Sequence, residues 1–181
     1  MRHLFIWILL FLMLFGSGCN LFRQQPERPK SKTDRSGAKY EAYSNAFGYT
    51  LNGDEDLLLL ETINAWLGTP YKYGGCTKEG TDCSCLITNV FKTVYQLDLP
   101  RKAQDMSAKA KKIKAKHIQE GDLLFFKIKG NHISHVGLHI SKGYFVHAST
   151  SQGVVINHLS NRYYATHFAY AGRIREKSGK H

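Results

Sequence analysis

The sequence predicts an α+β fold in which N-terminal helices pack on a mostly antiparallel sheet of about five or six strands. Two segments with helical apolar spacing come first, between residues 57 and 95. Short runs rich in β-branched and aromatic residues follow from Gly121, punctuated by Gly and polar residues. Helices first and strands afterwards, with short connections, describe a layered α+β domain rather than alternating βαβ units.

The first helix is read from Leu59, Leu60, Ile63, Trp66 and Leu67, with Asp54, Glu55 and Asp56 at its start and Gly68 as its stop. A loop rich in turn formers and tyrosine, Gly68-Thr-Pro-Tyr-Lys-Tyr-Gly-Gly75, comes next. The second helix is expected over 84–95. Leu86, Ile87, Val90, Phe91 and Val94 form its apolar face, Asp82 can cap its start and Pro100 lies beyond its end. Lys and Arg dominate 101–116, which reads mostly as a solvated helix face or loop. Strands are expected over 123–128, 134–140, 144–148, 154–156 and 168–174. No internal repeat and no glycine-rich phosphate loop is present.

The 181 residues are 43% hydrophobic and 12% aromatic, with four Pro and sixteen Gly, which excludes a collagen-like or Pro-rich disordered chain. Twenty-five Lys and Arg against fourteen Asp and Glu give a formal charge of +11. An anionic partner suits that balance, whether nucleic acid, anionic lipid or cell-wall polymer.

The N-terminus narrows the choice. Arg2 and His3 precede an apolar run from Leu4 to Phe15, then Gly16, Ser17, Gly18 and Cys19. This predicts a signal peptide over 1–18, since a spanning helix needs roughly 20 apolar residues. Cys19 after Gly-Ser-Gly resembles a bacterial lipoprotein processing site, which would make Cys19 the lipidated N-terminus. One departure is Gly16, where such sites usually carry an aliphatic residue. Ordinary cleavage nearby, leaving a free thiol, is the competing reading. The chain is thus expected to be a membrane-anchored lipoprotein of the cell envelope. Asn20 after Cys19 points to the outer membrane, facing the periplasm, in a Gram-negative cell. Residues 19–45, basic and poor in large aliphatics, read as a solvated tether, and 46–181 as the folded domain. Export argues against a nucleic-acid partner, as does the lack of a recognition motif.

Four Cys in an oxidising compartment raise the question of disulfides. With Cys19 acylated, Cys76, Cys83 and Cys85 remain, so at least one thiol is unpaired within a monomer. Cys83 follows Asp82 where the second helix begins, and the helix dipole there favours a thiolate. A buried structural Cys is the plain alternative. Of nine His, those at 132, 135, 139 and 147 fall on the first expected hairpin, while His3, His117, His158, His167 and His181 lie in leader, loop or edge contexts. His135 and His147 share a sheet face only if the Ser141-Lys142-Gly143 turn contains a third loop residue or a bulge, because tight pairing of 141 with 144 puts them on opposite faces. A bulge or three-residue loop is expected. Metal binding by Cys76, Cys83, Cys85 and the His set is not expected. No CxxC knuckle occurs, Cys-x-Cys at a helix start diverges, and His132 and His135 on a strand would face opposite ways.

Six segments in register, Gly68-Thr-Pro-Tyr-Lys-Tyr-Gly-Gly75, Asp82-Cys-Ser84, Leu99-Pro-Arg101, Gly121-Asp-Leu-Leu-Phe-Phe126, His135-Val-Gly137 and Phe145-Val-His-Ala-Ser149, resemble the motifs of the NlpC family of cell-wall peptidases. The resemblance covers about residues 56 to 175, and it implies a papain-like α+β fold. It also implies a cysteine endopeptidase that cuts peptidoglycan stem peptides or cross-links without a cofactor, and peptidoglycan as partner. By matching positions, it implies Cys83 as nucleophile, His135 as base and His147 as the group orienting that base. Tyr71 would line the oxyanion side, and Asp82 and Ser84 would contact the substrate amine and frame the nucleophile. A monomer is expected. Two departures stand out: Cys85 replaces the family's usual Gly, and Cys76 follows Gly75 where small or hydroxyl residues are usual. A Cys76–Cys85 disulfide would clamp the loop, whereas pairing either with Cys83 would switch the enzyme off; both remain open. Other readings are a catalytically disabled, peptidoglycan-binding relative, or a papain-like amidase or transferase acting on another amide.

Overall fold

The computed structural model describes residues 32–174. The expected signal peptide and Cys19 lie outside the described residues. Among the described residues, no helix is long and apolar enough to cross a membrane.

Helix α1 (Lys32–Phe47) occupies part of the segment read as a tether, so that reading is corrected for its ordered end. Its anchors are aromatic: Phe47 is buried, Tyr40 and Tyr43 pack against the core, and Tyr40 Oη donates to the Glu55 carbonyl at 2.7 Å. Three aromatic contacts hold this otherwise polar helix against its neighbours, since tertiary packing outweighs propensity in most protein helices.

Helix α2 (Leu57–Trp66) starts where Asp56 accepts from the backbone N–H groups of Leu58 and Leu59 at 2.7 and 3.1 Å. Leu59, Leu60, Ile63 and Trp66 are its buried face. A short hairpin, β1 (Cys76–Thr77) and β2 (Gly80–Thr81), leads directly into α3 (Cys83–Tyr95). Asp82 caps α3 by accepting from Cys85 N–H at 2.8 Å, as expected. Leu86, Ile87, Val90 and Phe91 are buried, and α3 packs against two central strands of the sheet. Part of the basic stretch is a helix, one of its two expected forms, and the rest is more ordered than a loop. The stretch holds helix α4 (Ala103–Lys109), edge strand β3 (Lys111–Ile113) and a 3-10 turn over Ala115–His117.

The remaining strands are β4 (Leu123–Phe126), β5 (His135–His139), β6 (Tyr144–Ser149), β7 (Gly153–His158) and β8 (Phe168–Arg173), with helix α5 (Arg162–His167) before β8. They form one six-stranded sheet, ordered β3-β8-β4-β5-β6-β7, in which every pair is antiparallel. This is the α+β, papain-like architecture that the sequence predicts.

Strand alternation divides the interior in two. Leu123, Phe125, Val136, Leu138, Ile140, Val146 and Ala148 face the helices. Leu124, Phe126, Phe145 and Ala171 turn to the other face, where α5 covers them with Tyr164. On β5 and β6, His135 and His147 belong to this second face, in ring contact with Phe126 and Phe145.

The β5–β6 turn carries the irregularity expected from the histidine parity. Lys142 and Gly143 both have left-handed φ, 50° and 81°, as in a type I′ turn. Tyr144 N–H donates to Ser141 O at 2.8 Å, yet Tyr144 O accepts from Ile140 N–H, also at 2.8 Å. Ile140 and Ser141 therefore both oppose Tyr144, which is a β-bulge. Beyond it Leu138 pairs with Val146 and His139 with Phe145. Continuing that register puts His147 opposite Gly137 and diagonal to His135 on the same face.

Candidate active-site cleft

Three backbone features bring the site together. The Gly68–Gly75 loop is stitched to the start of β7, with Gly68 N–H donating to Val154 O at 2.9 Å and Val154 N–H to Thr69 O at 2.8 Å. Gly153, at φ 72°, permits this approach, because a Cβ there would collide with the Thr69 carbonyl. Tyr71 forms an isolated bridge to Thr81, one residue before Asp82. Finally, β5 begins at His135, beside the start of α3. The result is a cleft of about 670 Å³ whose lining includes Tyr71, Asp82, Cys83, Ser84, His135 and His147. Every site residue expected in the folded domain is on its wall.

One side of the cleft is ionised. The Asp82 carboxylate accepts from Gly74 N–H at 3.0 Å, Cys85 N–H at 2.8 Å and Ser84 Oγ at 3.0 Å. Arg101 completes the set with Nη1 at 2.9 Å and Nη2 at 2.6 Å, and its Nη1 also donates to Ser84 Oγ at 2.8 Å. Burial pushes the Asp82 carboxyl up, but Arg101 and the surrounding donors outweigh it and hold the group below its ordinary value. Sequence reasoning placed Arg101 in the solvated basic run. Its position beside Leu99-Pro100 in a matched motif was the signal that set it apart.

The other side is neutral. His135 Nε2 and His147 Nδ1 are 3.0 Å apart, and His147 Nε2 lies 2.9 Å from Asn157 Oδ1. An amide oxygen only accepts, so His147 carries its proton on Nε2 and accepts on Nδ1 from His135 Nε2–H. This leaves His135 Nδ1 unprotonated. Burial pushes His135 down to about 3, helped by the neighbouring His147. It pushes His147 down to about 4, against the opposing pull of Asn157. Asn157 was missed from sequence, although it follows by two the residue opposite His147 (Val155) and so lies on the same face.

Cys83 lies between the two sides. A disulfide joins Cys76 to Cys85, with Cα atoms 5.3 Å apart, and Cys83 keeps a free, buried thiol. The bond anchors β1 to the first turn of α3, and Asn89 Nδ2 donates to Cys85 Sγ at 3.3 Å. The expected thiolate is not found. Burial pushes the Cys83 thiol up to about 11, and the Asp82 charge adds to this; N–H groups of Val136, Ser84 and Cys83 itself pull the other way without prevailing. At neutral pH such a thiol is protonated. His135 uses Nε2 for its bond to His147, the contact expected of the group that orients it. The expectation of a working thiol peptidase, with a Cys83 thiolate paired to a protonated His135, is therefore corrected. A disulfide grips the helix start on which the nucleophile position sits, and both members of the expected ion pair are neutral.

Tyr71 is half-buried at the cleft, and burial raises its phenol above its ordinary value, with Cys83 and Asp82 adding to the effect. Its hydroxyl is thus a neutral donor. His132 lines the cleft as well, whereas His139 is held away at Gln119 O, 3.0 Å distant. Among the described residues, no group of three or more His, Cys, Asp or Glu is placed to hold a metal.

Residues 68–173 match the model of the NlpC/P60 family. The probable endopeptidase NlpC homolog of Haemophilus influenzae is 37% identical over 143 residues, covering 79% of this chain and 74% of that protein. The Escherichia coli protein described as murein DD-endopeptidase MepS/murein LD-carboxypeptidase is 31% identical over 148 residues, 82% of this chain and 77% of the other. Among solved structures, an NlpC/P60 family protein from Bacillus cereus superposes with a TM-score of 0.60 at 28% identity, over 64% of this chain; the match spans only 39% of that longer chain. RipD from Mycobacterium tuberculosis, described as a non-catalytic NlpC/p60 domain protein adapted to peptidoglycan binding, shares the fold with a TM-score of 0.54 at 20% identity, over 65% of this chain and 95% of its own. With a family model matched over more than half its length, this chain belongs to the NlpC/P60 family.

Proposed function

We propose that this protein is a peptidoglycan-binding member of the family whose hydrolytic centre is disabled in the disulfide-bonded form. One observation carries the reading: an open cleft of about 670 Å³ lies over a Cys83 thiol that is buried and neutral, beside the Cys76–Cys85 disulfide. The cleft retains the means to hold a ligand. Tyr71, the Asp82–Ser84–Arg101 cluster and the His135–His147 pair are fixed by hydrogen bonds or by the fold, which lowers the entropic cost of binding. Family membership supports peptidoglycan as the polymer, and so does the charge of +11, since stem peptides carry carboxylates. The Mycobacterium tuberculosis protein RipD is a precedent for the fold serving without catalysis.

On this reading the protein works as a monomer in the cell envelope, tethered through lipid on Cys19 to the outer membrane and facing the periplasm. The sequence also resembles the murein endopeptidase lipoprotein Spr, including over His147–Ile156, a likeness of sequence rather than of activity.

The test is to incubate the oxidised protein with purified sacculi and measure both co-sedimentation and soluble muropeptides. Binding without fragment release, unchanged in Cys83→Ala, is expected. Release of muropeptides by the natural protein and not by Cys83→Ala would overturn the reading.

A further inference from the structure

The charge in the cleft is unevenly placed. Its lining holds Arg101, Lys102 and Lys129, against one carboxylate, Asp82. Arg101 is already committed to Asp82 through two short hydrogen bonds. Lys102 and Lys129 thus contribute uncompensated charge. Neither ammonium is engaged by an acid within the cleft, and both are exposed to an incoming ligand.

Topology places these two on one flank. Lys102 immediately precedes α4, which packs against β5, and Lys129 lies in the β4–β5 connection with His132. The tyrosine loop adds uncharged groups, although its end meets the ionised pair, with Gly74 N–H donating to Asp82 and Arg101 Nη2 to Gly75 O. Ser149 and Thr150 at the β6–β7 turn adjoin the Gly68–Gly75 loop with Tyr71 and Tyr73, because Val154 and Thr69 are hydrogen-bonded to each other. Tyr73 is 89% exposed, a ring with one face free to stack on a neutral part of the ligand. A ligand in the cleft would therefore meet these cations as well as hydroxyl and aromatic groups.

We infer that the Lys102–Lys129 flank selects peptidoglycan stems whose branch carboxyls are free over stems in which those carboxyls are amidated. This rests on the proposed peptidoglycan-binding role and adds a chemical preference to it. An ammonium attracts a carboxylate by charge and gains less from a primary amide, which is neutral and offers it only the carbonyl oxygen as acceptor. Exposed pairs are individually weak, so two of them together give a discrimination of about five- to tenfold. The preference is electrostatic and must shrink as salt rises, because the Debye length falls from about 10 Å at 0.1 M to about 3 Å at 1 M.

The measurement is fluorescence anisotropy on the oxidised full chain with two matched, labelled stem peptides, one with free carboxyls and one amidated at the D-glutamate and diamino-acid positions. Tighter binding of the free-carboxyl stem is expected, with the difference lost in Lys102→Gln/Lys129→Gln and diminished at 1 M salt. Circular dichroism of the double variant verifies its fold. Equal affinity of the natural protein for the two stems would overturn the inference while leaving peptidoglycan binding in place. A preference that survives in the folded double variant would overturn it too. Failure to bind either stem, together with failure to bind sacculi, would remove the underlying role along with the inference.

Discussion

The two walls of the cleft bury comparable polar groups and resolve them in opposite ways. On the α3 wall, Asp82 is buried yet ionised, because a guanidinium and three other donors replace its lost water. On the sheet wall, His135 and His147 are buried with no counter-charge and stay neutral, linked by one hydrogen bond and steered by an amide. Cys83 begins on the first wall but behaves like the second. Proximity to a helix N-terminus does not suffice to ionise a thiol. The dipole contributes roughly 0.3–1 kcal/mol at ordinary sites, which desolvation and one adjacent carboxylate exceed.

The largest effect on this contrast should come from removing the clamp on the ionised wall. Cys76→Ser with Cys85→Ser opens a crosslink between residues nine apart, a loss of about 2.5 kcal/mol in the chain-entropy model, readable by urea denaturation. Next, Arg101→Ala strips Asp82 of two charge-assisted bonds. Breaking a fully buried pair costs about 3–5 kcal/mol, but the Arg101 side chain is 44% exposed, so about 1–2 kcal/mol is expected. The Asp82 carboxyl should move upward by NMR titration.

On the neutral wall, Asn157→Leu leaves the His147 Nε2–H without its acceptor. A loss of about 1 kcal/mol is expected, and His147, deprived of the one partner that favoured its charged form, should titrate still lower. Acid should separate the walls as well. The unfolded chain binds a proton on each imidazole below about 6.5, whereas the fold resists until about 4 at His147 and about 3 at His135. The unfolded state therefore holds more protons in that window. The histidine contribution should be flat above pH 6.5, and stability should fall as pH drops from there towards 3, with His147→Phe reducing the slope. The smallest effect has the opposite sign. Burial raises Glu120 to about 6, with Asp56, Glu55 and Asp54 adding to it, although Asp56 N–H partly offsets the rise. Its protonated form is thus favoured in the fold, and stability is lost as pH climbs from about 4.5 through 6. Glu120→Gln should recover less than about 1 kcal/mol at pH 7, after allowing for solvent screening.

What the sequence disclosed depended on whether a local pattern carried the information. Helix α3 could be read because Asp82, Leu86, Val90 and Phe91 state cap and face together, and the bulge because two histidines twelve apart had to share a face. Helix α1 was hidden, since its polar residues are ordered only by Tyr40, Tyr43 and Phe47 meeting the core. Strand β3 was hidden in a lysine run because its order comes from backbone pairing with β8, to which side-chain type contributes little. In the cleft, residues could be nominated but their charge states could not. The neutrality of Cys83 and His135 is set by how completely the surrounding chain buries them, and the partners Arg101 and Asn157 are distant from them in sequence.

The β5–β6 bulge sets a limit on how this chain can vary in length. Gaining or losing one residue between Ile140 and Tyr144 would reverse the parity of everything downstream on β6, unless the bulge were simultaneously resolved. His147 would then be exchanged for Val146 or Ala148 on the cleft-facing side. A single-residue change of length at this turn should thus be tolerated only where it also resolves the bulge, a constraint felt by the site although none of Ser141, Lys142 and Gly143 lines the cleft.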